Sequence, residues 1–88
     1  MASARLLIVE DEPQQRELYV RRLIRQGYTV FSAPSGIEAL RILHEEEIDM
    51  LITDFQMPGM DGCEIITQAL QLYPMLQSIV VTGYSDIK

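Results

Sequence analysis

Leu6-Leu7-Ile8-Val9-Glu10-Asp11-Glu12-Pro13 is the stretch from which the rest of the chain can be read. Four apolar residues with no polar interruption describe a strand buried on both faces, the kind found inside a parallel sheet. Three acids close it at once. Pro13 then opens a helix, at a position where its missing N–H is no loss. Tyr19, Val20, Leu23 and Ile24 recur at helical spacing, and Gly27 stands where a C-terminal cap belongs.

The same alternation continues. Thr29-Val30-Phe31 reads as a second strand, and Ser35 as the N-cap of a second helix with Ala39, Leu40 and Leu43 on one face. Met50-Leu51-Ile52-Thr53 makes a third strand that ends at Asp54. Met57-Pro58-Gly59-Met60-Asp61-Gly62 is dense in turn chemistry and reads as a loop. Ile65, Ile66, Ala69 and Leu70 mark a third helix, closed by Pro74. Ile79-Val80-Val81, inside Ser78 to Thr82, is a fourth strand, and Gly83 begins another loop. The order β-α-β-α-β-α-β implies an α/β fold: a parallel sheet, right-handed crossovers and helices on both faces. No internal repeat, low-complexity tract or linker interrupts it.

Composition narrows the function classes. The chain's 88 residues and 10.1 kDa suit one domain, residues 1–88. Hydrophobic residues at 48% and charged residues at 23% exclude disordered, collagenous and coiled-coil classes. With 7 basic and 13 acidic residues the net charge is −6, which argues against direct binding to nucleic acid or an anionic membrane. A lone Cys63 forms no internal disulfide, as expected in a reducing compartment. The apolar start is too short for a signal sequence or membrane span, so a cytoplasmic location is expected.

Ligand sites in open parallel sheets lie beyond the carboxyl ends of the strands. Glu10 and Asp11 follow the first strand, Asp54 follows the third, and Thr82 ends the fourth. Taken singly, each acid is ordinarily a solvated loop residue or a helix cap, and Asp11 or Glu12 suits the cap of the first helix. Together they describe a site. Neighbouring carboxylates persist when a cation occupies them or when one stays protonated. Magnesium suits hard oxygen ligands, and a carboxylate beside it can act as nucleophile in phosphoryl transfer, with the Thr82 hydroxyl on a phosphoryl oxygen.

Three blocks carry a resemblance: Leu7-Ile8-Val9-Glu10-Asp11-Glu12, Asp54-Phe55-Gln56-Met57-Pro58-Gly59-Met60-Asp61-Gly62, and Val80-Val81-Thr82-Gly83. Together they resemble the receiver domain of bacterial two-component response regulators, over essentially the whole chain. The resemblance implies a flavodoxin-like three-layer fold with strand order 2-1-3-4. It implies a phosphoacceptor module, not an enzyme, in which Asp54 receives a phosphoryl group from a sensor histidine kinase or phosphotransfer protein. Mg2+ would be held by Glu10, Asp11, Asp54 and the backbone carbonyl of Gln56. Thr82 matches the switch hydroxyl and Gly83 the small residue that gives it access. Gln56 and Tyr84 match positions that tune dephosphorylation, and Pro58 and Gly62 match loop-shaping residues.

Set against that pattern, the chain is a partial receiver. It lacks the fifth strand, the fourth and fifth helices and the lysine at the end of that strand, and Lys88 follows Thr82 too closely to replace it. Residues Thr82 to Ile87 also resemble, weakly, regulators that drive transcription through a AAA+ domain. The fourth strand is expected at a sheet edge, open to self-association through that edge and the uncovered sheet. A phosphohydrolase with an aspartate nucleophile usually carries a second acid two residues on, where this chain has Gln56. The remaining alternative is an interaction fragment that accepts no phosphate and acts by self-association. His44, among Glu45, Glu46 and Glu47, reads as an exposed helix end, and Cys63 as a small, partly buried core residue. Met57 and Met60 are expected to pack the loop, and no P-loop, dinucleotide fingerprint or zinc spacing is present.

Overall fold

A computed structural model describes residues 3–54 and 62–81. Its elements are β1 (Arg5–Val9), α1 (Pro13–Arg25), β2 (Thr29–Ala33), α2 (Gly36–Glu45), β3 (Met50–Asp54), α3 (Gly62–Leu72) and β4 (Gln77–Val81). The four strands form one parallel sheet in the order β2-β1-β3-β4. The chain therefore steps one way from β1 to β2, then back across β1 to β3 and on to β4. Right-handed crossovers place helices on opposite faces when the stepping direction reverses. Accordingly α1 lies on one face, and α2 and α3 pack against each other on the other.

Local chemistry sets the helix ends. Glu12 caps α1, its Oε1 accepting from the backbone N–H of Gln15 at 2.9 Å. At the other end, Gly27 takes φ +101° while its N–H donates to the Ile24 carbonyl and the Tyr28 N–H to the Leu23 carbonyl. That is a Schellman closure, with glycine at the left-handed position. Ser35 caps α2 by accepting from the Glu38 N–H at 3.3 Å, as its spacing predicted.

The core follows from strand alternation. Leu7 and Val9 of β1 and Leu51 of β3 point to the α2–α3 side, where they meet Ala33, Ala39, Leu43, Ile65, Ala69 and Leu76. Leu6 and Ile8 take the other face and are also buried, so β1 is covered on both sides. Among the described elements, α1 is the helix on the second face. Helix α1 packs on β1 and β2, whereas among the described elements β3 and β4 meet no helix but α3. Consequently α1 has no fully buried residue, and Ile24, read from its spacing as inward, is 55% exposed.

Two other readings change. β2 extends beyond Phe31 to Ala33, because Ser32 and Ala33 complete the ladder opposite Ile8 and Val9. Cys63 is exposed, since the inward stripe of α3 runs through Gly62, Ile65 and Ala69. His44 is exposed at the end of α2, as expected. The acids after it are not merely solvated. Arg5 donates through Nη2 to Glu46 at 2.9 Å and through Nε to the Glu47 carbonyl at 2.6 Å, and its backbone N–H donates to Asp49 at 2.7 Å. Its guanidinium also stacks over Phe31, 5.0 Å from the ring centre. This arginine ties the amino end of β1 to the α2–β3 turn.

Candidate phosphoacceptor site

The reversal of stepping direction falls between β1 and β3, and the helices that follow them leave on opposite faces, the place where open parallel sheets set a ligand site beyond the carboxyl ends. Val9 lies opposite Thr53, so Glu10 and Asp54 leave the sheet at the same level. A carboxylate oxygen from each of Glu10, Asp11 and Asp54 falls within 4.8 Å of the others. Glu10 is buried, Asp54 half-buried and Asp11 exposed.

Glu10 is held from three sides. Its backbone N–H donates to the Ala33 carbonyl at 3.0 Å, its Oε2 accepts from the Glu12 N–H at 3.1 Å, and its carbonyl accepts from Arg16 Nη1 at 2.9 Å. Burial, at 4% exposure, disfavours the charged carboxylate. The bond from Glu12 works against this, but the hydrogen bond and charge of Asp54 and the charge of Asp11 add to it, and the Glu10 carboxyl is pushed up to about 7. Without a cation, therefore, Glu10 holds a proton in the hydrogen bond to Asp54 well above the usual carboxylate range.

Beneath the cluster, Thr53 is fully buried and donates from Oγ1 to the Asp54 carbonyl at 3.2 Å. Arg16 carries the loop from the other side. Its position four residues beyond Glu12 brings it back over the β1–α1 connection once Glu12 is the cap, and its backbone N–H donates to the Glu12 carbonyl at 2.9 Å. Sequence reading passed over Arg16. The cap followed one turn later by arginine was the available signal.

Of the residues expected at the site, Glu10, Asp11 and Asp54 come together, and Gly62 is buried at the start of α3. Gln56, Pro58, Thr82, Gly83 and Tyr84 lie outside the described residues, as do Met57, Met60 and Lys88. Three clustered carboxylates, with no soft donor beside them among the described residues, match a hard divalent cation such as magnesium. The Glu10 pKa is raised first by burial and then by Asp54 and Asp11, and a cation beside these carboxylates would favour their charged forms. No helix among the described residues is long and apolar enough to cross a membrane.

Residues 6–88 match the family model described as the response regulator receiver domain. The transcriptional regulatory protein GlrR of Escherichia coli is 37% identical over 84 residues. That alignment covers 96% of this chain and 19% of the relative, so the chain spans about a fifth of the relative's length. Among solved structures, response regulator protein TrrA from Thermotoga maritima, in complex with Mg(2+)-BeF, superposes with a TM-score of 0.88 at 34% identity. The match covers 97% of this chain and 74% of that one. A complex of histidine kinase ThkA with TrrA matches at TM-score 0.86 and 34% identity, covering 97% of this chain and 73% of the other.

Proposed function

As this chain belongs to the response regulator receiver domain family, we propose that it is a phosphoacceptor module in which Asp54 takes a phosphoryl group with Mg2+ bound beside it. The observation that carries this reading is the trio of carboxylates within 4.8 Å of one another, drawn from the ends of β1 and β3. A carboxylate oxygen of Asp54 attacks phosphorus, the bond from phosphorus to the donor breaks, and the donor leaves with that electron pair. The product is an acyl phosphate on Asp54.

Glu10 and Asp11 hold the cation together with Asp54, and the backbone carbonyl of Gln56 is assigned to the same set. When bound, magnesium neutralises charge on the transferring phosphoryl oxygens. The chain's own residues do the rest. Arg16 fixes the Glu10 carbonyl, and Glu12 fixes the Glu10 carboxyl through its N–H, so the β1 end is organised before a donor arrives. Glu10 must release its proton for full cation affinity, so binding strengthens as pH rises through about 7. Thr82 supplies the hydroxyl that meets the phosphoryl group, Gly83 gives it room, and Gln56 and Tyr84 tune hydrolysis. Pro58 and Gly62 shape the intervening loop.

The donor is a sensor histidine kinase or phosphotransfer protein, a reading supported by the kinase complex of the similar TrrA. The other partner is a second copy of the chain. On this view the chain is a signalling acceptor in the cytoplasm, organised as a single domain, and not an enzyme in its own right.

Incubation with a small phosphodonor and magnesium, followed by peptide mass spectrometry, tests the assignment. One phosphoryl group on Asp54, absent from Asp54→Asn and absent without magnesium, is expected. Modification at His44 or Asp61, or none at all, overturns it.

A further inference from the structure

Between the end of α2 and the end of α3 lies a pocket of about 660 Å³, within the roughly 300–1,000 Å³ of ordinary ligand sites. Its walls are residues 43–49 on one side and 72–76 on the other. These are helix ends and the α2–β3 and α3–β4 connections, at the amino ends of β3 and β4. The acid cluster lies at the carboxyl ends of the strands and contributes no residue to the pocket. No residue of β4 lines it either, so it is a feature of α2, α3 and the turns that follow them.

Two kinds of surface meet there. Leu43 and Leu76 belong to the core and, with the half-buried Ile48 and Tyr73, give the pocket an apolar floor. Leu72, 57% exposed, stands on the rim. Beside these are the carboxylates of Glu45, Glu46, Glu47 and Asp49, and among the described residues no lysine or arginine lines the pocket. Cations nearby are fewer than the acids. Arg5 bonds Glu46 at 2.9 Å, and Arg41 is divided between Glu45 at 3.1 Å and Glu38 at 2.6 Å. Asp49 accepts from the Arg5 backbone N–H at 2.7 Å. Helix polarity adds to the imbalance. Both α2 and α3 end at the pocket, so each brings the negative end of its dipole to it. His44 is the basic residue in the last turn of α2, and α3 has none in its own.

We propose that this pocket docks a basic segment of a partner protein, one that sets a leucine-sized apolar side chain on the floor and arginines against the carboxylates. Charge complementarity selects that occupant. An apolar floor alone would take any hydrophobic segment, but the acids repel a negative one, and a second copy of this chain has a net charge of −6. Nucleic acid and anionic membrane are turned away on the same ground. Arginine suits the site better than a simple cation. Its planar fork meets a carboxylate with two bonds, and its stem lies along apolar surface. Docking here requires neither magnesium nor a phosphoryl group on Asp54, so it stands apart from the phosphoacceptor reading.

The probe is a fluorescein-labelled hexapeptide of alternating arginine and leucine, titrated with the 88-residue chain in chelator and read by anisotropy. Amide NMR shifts locate it. Saturable binding is expected, with shifts gathered at residues 43–49 and 72–76 and affinity falling as salt is raised. A peptide with serine for each leucine, or with glutamate for each arginine, should not saturate. Glu47→Lys and Leu72→Ser, both at exposed positions, should each raise Kd several-fold, the first about tenfold, with the circular dichroism spectrum unchanged. Absence of saturation at millimolar chain overturns the inference. So does a serine peptide that binds as well as the leucine one, since net charge alone then accounts for the binding. Shifts gathered at Glu10, Asp11 and Asp54, or a Kd that neither substitution moves, refute it as well. Pocket amides that shift on dilution of the free chain, in step with a sedimenting dimer, also refute it, because a second copy then fills the site.

Discussion

Replacing Glu10 by glutamine isolates the electrostatic cost built into the acid cluster. The wild-type carboxyl ionises near 4.5 in the unfolded chain and at about 7 in the fold. Between those values the folded chain keeps a proton that the unfolded chain has released, so unfolding becomes easier as pH rises. At roughly 1.4 kcal/mol per pH unit, the loss from this group is about 3 kcal/mol, complete above the folded value. That is a large share of the 5–15 kcal/mol by which domains are typically stable. Glutamine keeps an oxygen for the Glu12 N–H and an N–H for Asp54 but does not titrate. Urea unfolding followed by circular dichroism, in chelator and at steps from about pH 5 to about pH 8, should show the variant gaining on the wild type as pH rises. Other groups titrate in both proteins and cancel in the difference. Saturating magnesium should restore the wild type at pH 8 and help the variant much less. A difference that stays constant across this range would refute the reasoning.

Three further outcomes are expected. Asp54→Asn should weaken magnesium binding at least about tenfold by calorimetric titration, because a neutral amide is a poor ligand for a hard cation. Leu51→Ala removes a fully buried side chain at the centre of the core and should cost about 2–5 kcal/mol in urea unfolding. Gly27→Ala meets open space but at φ +101°, so thermal unfolding should report a loss of about 1–2 kcal/mol from backbone conformation alone.

Much of this molecule is legible in its sequence because two kinds of signal coincide at β1. A doubly buried strand needs an uninterrupted apolar run, and the site needs acids immediately after it, so Leu6 to Glu12 announces both. Asp54 is equally plain for the same reason. Signals weaken where packing outranks pattern. Ser32 and Ala33 have little strand character of their own and join β2 only through Ile8 and Val9. Ile24 has inward spacing, but among the described elements α1 packs on β1 and β2 alone, and Ile24 lies 55% exposed. Cys63 was misread because a small apolar residue at a helix start carries no facing information until Ile65 and Ala69 fix the stripe. Arg16 escaped notice because its role rests on one bond to a backbone carbonyl, which the sequence signals only through a helix cap followed by arginine one turn later.

The central place of β1 also governs how the chain acquires its shape in time. Leu6 pairs with Val30 on one side and with Met50 on the other. β1 therefore cannot complete its ladder until Met50–Asp54, some forty residues further along, has been made. Each strand pairing spans a helix, with no hairpin to zip locally, so closure of the sheet is a late event with a high loop-entropy cost. Until Met50–Asp54 arrives, Leu7 and Val9 remain bare to chaperones and to other nascent chains. Of the four described strands, the one that anchors the acid cluster is made before the other three and waits for two of them to shelter it.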